Sequence, residues 1–219
     1  MSIIVLDTET TGNEPPEVIE LAYGWLDVLQ LELHHPHVER FCPSKPLAFG
    51  ALATHHILSE ELIGQPPSST CKLPAVDYIV GHNCDYDWKA LASPPVKRIC
   101  TLAIARALYP ECDSHSLGAM LYRLHPSPRE ARELLKGAHS ALTDVSLCAY
   151  ILCEMANQHS LAWVEPESIW EFSEKCRIPK VISFGKHKGT PVKDLPRDYK
   201  QWLLRQPDMD PYLIKAIKA

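Results

Sequence analysis

Short apolar runs broken by prolines dominate the first half of the chain, and helical spacing takes over in the second. Ile3-Ile4-Val5-Leu6 is a continuous apolar run, as a central strand buried on both faces should be. Further strand candidates lie at 18–28, 32–41 and 77–80, beside the first at 2–7. Helices are expected near 101–108, 116–124, 129–136 and 139–158. The last is the most regular, with Leu147, Ile151, Leu152 and Met155 at helical spacing. Strands and helices therefore mix in an α/β chain. Prolines gather in connections such as Pro15-Pro16, Pro66-Pro67 and Pro94-Pro95, which keeps most elements short.

Acids interrupt this pattern at three places. The first apolar run leads into Asp7-Thr8-Glu9-Thr10-Thr11-Gly12. Residues two apart in a strand point to one face, so Asp7 and Glu9 project together. Two like charges side by side at the end of an apolar strand are unfavourable unless a cation lies between them, and a divalent metal is the simplest compensation. Taken alone, the segment is also compatible with a buried strand and a polar turn whose acids are solvated. Downstream, Tyr78-Ile79-Val80-Gly81 runs into His82-Asn83-Cys84-Asp85-Tyr86-Asp87 and a candidate helix over 88–91. A third acid at a strand-to-helix junction suits a site assembled at the ends of several elements. Finally, His139-Ser140-Ala141-Leu142-Thr143-Asp144 opens the most regular helix.

These three segments, in this order and at these separations, resemble the DEDDh branch of DnaQ-like 3′-5′ exonucleases. The resemblance covers most of the first two-thirds of the chain. It implies an RNase H-like fold, a mixed central sheet flanked by helices. Alignment of the family's aromatic-acid pair with Tyr86-Asp87 selects Asp87 over Asp85, which is left to cap the following helix. Asp7, Glu9, Asp87, His139 and Asp144 are then the expected catalytic set. Segment His55-His56-Ile57 is similar to a family segment, usually His-Gly-Ile, that helps hold the terminal nucleotide, although His56 stands in place of the glycine and puts close backbone approach in doubt. C-terminal Phe184-Gly185-Lys186-His187-Lys188-Gly189 also looks like a module of the exonuclease X-like members, which this chain resembles most.

Phosphodiester hydrolysis requires a nucleophilic hydroxide, neutralised charge at phosphorus and assistance to the departing sugar oxygen. Two metals about 3.5–4 Å apart supply all three. The expectation is that Asp7, Glu9, Asp87 and Asp144 hold two Mg²⁺ or Mn²⁺ ions, hard cations that favour oxygen ligands. His139, whose imidazole titrates near neutrality, is the expected general base. Substrate contacts are expected from the backbone amides of Thr10 and Thr11, from the turn at Gly12, and from His55, with Asn83 ordering its loop beside the substrate. His115 carries no expected catalytic role.

Length and charge add an appendage to this domain. A chain of 219 residues with 46% apolar content can bury a full core. Residues 1–174 carry a net charge of −12 and residues 175–219 a net of +7. An acidic body is awkward for an enzyme acting on a polyanion unless metals and a basic attachment offset it. The expected division is an exonuclease-like domain over 1–160, a linker helix over 161–179, and a small basic module over 180–219. In that module, 181–184 reads as a strand, 185–189 as a basic turn and 197–205 as a helix. Lys186 and Lys188 are candidate phosphate contacts, and Tyr199 and Trp202 add aromatic surface. The alternative is a structural module with a solvated basic face.

Eight cysteines show no Cys-x-x-Cys pair and no zinc spacing, no secretory leader opens the chain, and no apolar run approaches the ~20 residues that span a membrane. A reduced, cytoplasmic protein without membrane association is expected. The leading function is a DNA exonuclease releasing 5′-mononucleotides from free 3′ ends. An exoribonuclease is the alternative, because the same constellation processes RNA and the distinction rests on 2′-hydroxyl contacts. A third reading is a non-catalytic or polymerase-accessory binding protein, although nothing indicates a polymerase partner. The fold resemblance allows a homodimer.

Overall fold

Strand β1 (Ile3–Thr10) lies in the middle of a sheet ordered β3-β2-β1-β4-β5, in a computed structural model that describes residues 1–12, 14–30, 32–137, 140–182 and 184–219. Its neighbours are β2 (Val18–Asp27), antiparallel, and β4 (Tyr78–Gly81), parallel. β3 (Glu32–Arg40) pairs antiparallel with β2, and β5 (Lys97–Cys100) parallel with β4. The helices are α1 (Phe49–His55), α2 (Asp85–Ala90), α3 (Thr101–Leu108), α4 (Leu117–Leu124), α5 (Pro128–Leu134), α6 (Ala141–Gln158), α7 (Pro166–Cys176), α8 (Arg197–Leu203) and α9 (Pro211–Lys218). Among the described residues, none of these is long and apolar enough to cross a membrane.

β1 is apolar throughout its first half because both faces are covered. Ile4 and Leu6 pack with Ile79, Trp25, Trp88 and Leu91 on one side. The alternate residues Ile3, Val5, Asp7 and Glu9 project to the other, where α6 lies across β1, β2 and β3. That helix buries Val145, Cys148, Ile151, Leu152 and Met155 along its length.

Three details depart from the sequence expectations. β1 does not stop at Asp7. It runs to Thr10, because β2 continues to pair with it through Asp7↔Ala22, Thr8↔Leu21 and Glu9↔Glu20. Both acids therefore stand within the strand. β5 carries no alternation long enough to announce it. Its four residues form a strand because β4 offers a free edge to them.

The third departure concerns the appendage. The chain divides into two compact units, Met1–Ser173 and Glu174–Ala219. Residues 161–173, expected in a linker, belong to the first unit. Ile169 and Ser173 are fully buried there, Ser173 Oγ accepts from the Cys100 amide at 2.9 Å, and Lys97 pairs with Glu167 at 2.6 Å. The second unit has its own small core of Ile182, Val192, Leu195, Tyr199, Leu203 and Leu213. Of its expected strand over 181–184 the described residues show a bridge between Val181 and Pro191, and Ser183 lies outside them.

Candidate active site

The register of β1 and the start of α6 bring three carboxylates together. Asp7 and Glu9 share a strand face, and Asp144 sits in the first turn of the helix packed on that face. One carboxylate oxygen from each lies within 4.8 Å of the others. Asp144 is placed by the helix itself, whose first bond runs from its amide to the Ser140 carbonyl at 3.0 Å.

Asp87 comes from a different element but faces the same cluster. It is buried in the first turn of α2, and its Oδ1 accepts from the Thr8 amide at 3.1 Å and from the Thr8 hydroxyl at 2.7 Å. Thr8, between the two strand acids, points to the other face and anchors this fourth carboxylate. The neighbouring Tyr86 hydroxyl shares a 2.7 Å hydrogen bond with Thr10 Oγ1, tying α2 to β1 a second time. Asp85 does not cap α2. Cys84 occupies the cap position, and Asp85 pairs with Arg98 of β5, whose guanidinium lies over the Trp88 ring.

So many acids in one buried place disfavour their own ionisation. Burial, then Asp87, Asp144 and Glu9, hold the Asp7 carboxyl well above its ordinary range. Burial, followed by the charge of Asp144, pushes Glu9 up to about 8. Asp87 rises to about 6 through burial, against the opposing Thr8 bonds. Hard divalent cations relieve this repulsion by accepting several carboxylate oxygens at once, so the donor set fits Mg²⁺ or Mn²⁺.

A fifth acid, missed in the sequence, stands beside them. Glu20 lies directly across the sheet from Glu9 and is buried, with Arg40 Nε donating to it at 2.8 Å and the Ala141 amide at 3.3 Å. It therefore joins β2, β3 and the first residue of α6. The only sequence signal was an acid inside the apolar run Val18-Ile19-Glu20-Leu21-Ala22. Truncating Glu20 to Ala should leave the Ala141 amide and Arg40 without this acceptor and destabilise the fold by about 1–3 kcal/mol. Activity should fall with it, whereas Glu20→Gln, whose single carbonyl oxygen can keep one of the two bonds, should lose less of both. Thermal unfolding and turnover measured side by side check this, and equal behaviour of the two variants would exclude the positioning role.

The expected substrate residues divide. Gly12 has φ of +74°, and a Cβ there would come within 2.8 Å of Ala51 Cβ, so the turn after β1 needs glycine to seat against α1. Thr11 is fully buried. Its amide donates to the Glu17 carbonyl and its hydroxyl accepts from the Glu17 amide, so it shapes the turn and its N–H is not available to a ligand. Thr10 is buried against Tyr86. His55 is buried, with Nδ1 accepting from the Ile57 amide at 2.9 Å. Burial holds its imidazole below the usual histidine range, although the Thr10 carbonyl pulls the other way. His56 adopts φ of +58°, the left-handed conformation a glycine takes freely, so the backbone course survives the substitution. Asn83, exposed with φ of +75°, holds the turn before α2, its carbonyl accepting from the Tyr86 amide. His82 and His115 are structural. His82 bonds Thr101 Oγ1 and the His115 carbonyl, burial lowers it to about 4, and His115 bonds the Tyr109 carbonyl. His139 lies outside the described residues. Lys186 and Lys188 belong to the second unit.

No protein-family model matches the chain. Among curated proteins it is similar to exodeoxyribonuclease 10 of Escherichia coli strain K12, with 27% identity over 221 aligned positions, 98% of this chain and 96% of the relative. It is 28% identical over 198 positions to DNA polymerase III subunit epsilon of Rickettsia typhi, covering 79% of this chain and 83% of that one. Among solved structures, exonuclease X in complex with 5′ overhanging duplex DNA superposes with a TM-score of 0.62 and 24% identity, over 78% of this chain and 99% of the other. A zinc-bound complex of Escherichia coli exonuclease I with single-stranded DNA gives 0.57 at 16% identity, over 74% of this chain and 41% of that one. The described sheet and flanking helices are thus the RNase H-like fold of these nucleases.

Proposed function

From the similarity of this chain to DnaQ-like exonucleases, we infer that it is a metal-dependent 3′-5′ exodeoxyribonuclease, removing 5′-mononucleotides one at a time from DNA 3′ ends. The observation that carries this reading is the convergence of Asp7, Glu9 and Asp144 within 4.8 Å, with Asp87 anchored beside them through Thr8. Two Mg²⁺ or Mn²⁺ ions held by these four carboxylates would neutralise charge at phosphorus, acidify the attacking water and assist the departing sugar oxygen.

The chain's own residues supply the rest. Asp7 and Glu9 are fixed by the strand register, Asp87 by two bonds from Thr8, and Asp144 by the helix, so little reorganisation accompanies reaction. His139, directly before Ser140 and five residues ahead of Asp144, takes the proton of the attacking water. The Gly12 turn and His55 are the residues proposed to meet the terminal nucleotide.

The test is digestion of matched DNA and RNA oligonucleotides, labelled at either end, in Mg²⁺ and in chelator. Stepwise shortening of DNA from the 3′ end, lost in chelator, is expected. Faster trimming of RNA would replace the DNA assignment by an exoribonuclease. Binding without cleavage in Mg²⁺ or Mn²⁺ would overturn the enzymatic reading.

A further inference from the structure

The second unit, Glu174–Ala219, carries a row of rings that its own core does not explain. His187 and Tyr199 lie 4.3 Å apart between centroids, and Tyr199 and Trp202 are stacked at 5.4 Å and 22°. The middle of the row is core, since Tyr199 is buried among Ile182, Val192 and Leu203. The outer end is not, for Trp202 remains 51% exposed. Lys186 Nζ stands 5.5 Å from the Tyr199 ring, and Lys188 follows in the same tight loop. Gly185 holds φ of +65° where a Cβ would come within 3.3 Å of the Tyr199 hydroxyl, so the loop is moulded onto the rings.

Charge selects the partner. Residues 174–219 carry a net charge of +6 and residues 1–173 a net of −11. A polyanion meeting this chain is repelled by one unit and attracted by the other. An exposed indole beside lysines offers what a single strand needs, a flat face for a base and cations for the phosphates next to it, without selecting sequence. A protein partner would be matched by the charge but gives no reason for a stacked ring row ending in solvent.

We propose that the second unit is a sequence-tolerant binding site for single-stranded DNA, in which Trp202 stacks on a base while Lys186 and Lys188 contact the backbone phosphates. This rests on the exonuclease reading for the choice of DNA, and it assigns the module a hold on the strand that is separate from the catalytic carboxylates.

The full chain is titrated with a fluorescent oligothymidylate in Ca²⁺ across a salt series, as wild type, Trp202→Ala and Lys186→Ala/Lys188→Ala. Loss of the indole should weaken binding about tenfold. Loss of the two lysines should flatten the dependence of log K on log salt by about 1.4, for two phosphates of a single strand. Should Trp202→Ala unfold, the lysine pair still decides, since both side chains are exposed and lie outside the core. Unchanged affinity and slope in the lysine variant, or no oligonucleotide binding by the wild type, would overturn the proposal whether or not the protein cleaves DNA. Tighter binding of matched RNA through the same residues would overturn the assignment to DNA. Binding changes as predicted in a protein that cleaves nothing would leave this site standing and remove the catalytic reading.

Discussion

Asp7→Asn should abolish exonuclease turnover, by about 10³-fold or more, and at the same time raise the thermal stability of the metal-free protein. Activity falls because the asparagine cannot supply the charge that joins Glu9 and Asp144 in one cation-binding group. Stability rises because Asp7 is surrounded by acids. Its own carboxyl is held well above the ordinary range by burial and then by Asp87, Asp144 and Glu9, and those of Glu9 and Asp87 are raised from 4.5 to about 8 and from 3.8 to about 6, chiefly by burial. A raised folded value means the native state holds protons the unfolded chain has released. The stability these groups contribute is complete below about pH 4 and is lost as pH rises towards 8. Metal-free wild type should therefore melt at lower temperature at pH 8 than at pH 5, with a shallower decline in Asp7→Asn. Saturating Mg²⁺ should reverse the loss in the wild type, a ligand at 100 times its Kd contributing about 2.7 kcal/mol. Melting curves with and without Mg²⁺, beside turnover of a labelled oligonucleotide, test both halves. A variant stabilised by Mg²⁺ as much as the wild type, or retaining a tenth of its turnover, would remove Asp7 from the metal site.

How much of this was legible in the sequence follows from how local each feature is. Asp7 and Glu9 could be paired from the two-residue period of a strand, and Asp144 from its place one turn into a regular helix, because both inferences need only the chain's own neighbours. Glu20 could not, since its proximity to Glu9 exists only through the register of β1 on β2. The same register carries β1 on to Thr10, beyond the point where its apolar run ends. Thr8 looked like a polar spacer, and its role emerges only once α2 delivers Asp87 to it. α1 was silent for another reason. Phe49 at its start is 90% exposed and His55 is its only buried residue, so no apolar stripe marks it. The segment 161–173 read as a linker because the Ser173 hydroxyl that joins it to Cys100 is one polar atom that no local pattern sets apart. His56 gives the opposite lesson. Its departure from glycine suggested a changed backbone, yet the chain adopts the left-handed conformation regardless, at a cost of roughly 1–2 kcal/mol that the surrounding fold absorbs.

His139→Ala should separate proton transfer from metal binding. If His139 is the general base, the variant should lose about 10²–10⁴-fold in kcat while KM changes little. Mg²⁺ should still stabilise it as it does the wild type, because the four carboxylates are carried by β1, α2 and α6. The pH profile carries the decisive information. In saturating metal the carboxylates are held ionised, and the acidic limb of the wild-type rate should report the titration of an imidazole. That limb should vanish in the variant, leaving a residual rate that tracks hydroxide. A purely structural histidine would instead lower stability and metal response together and keep the shape of the profile. A loss of less than tenfold, or an unchanged acidic limb, would transfer the proton to another acceptor.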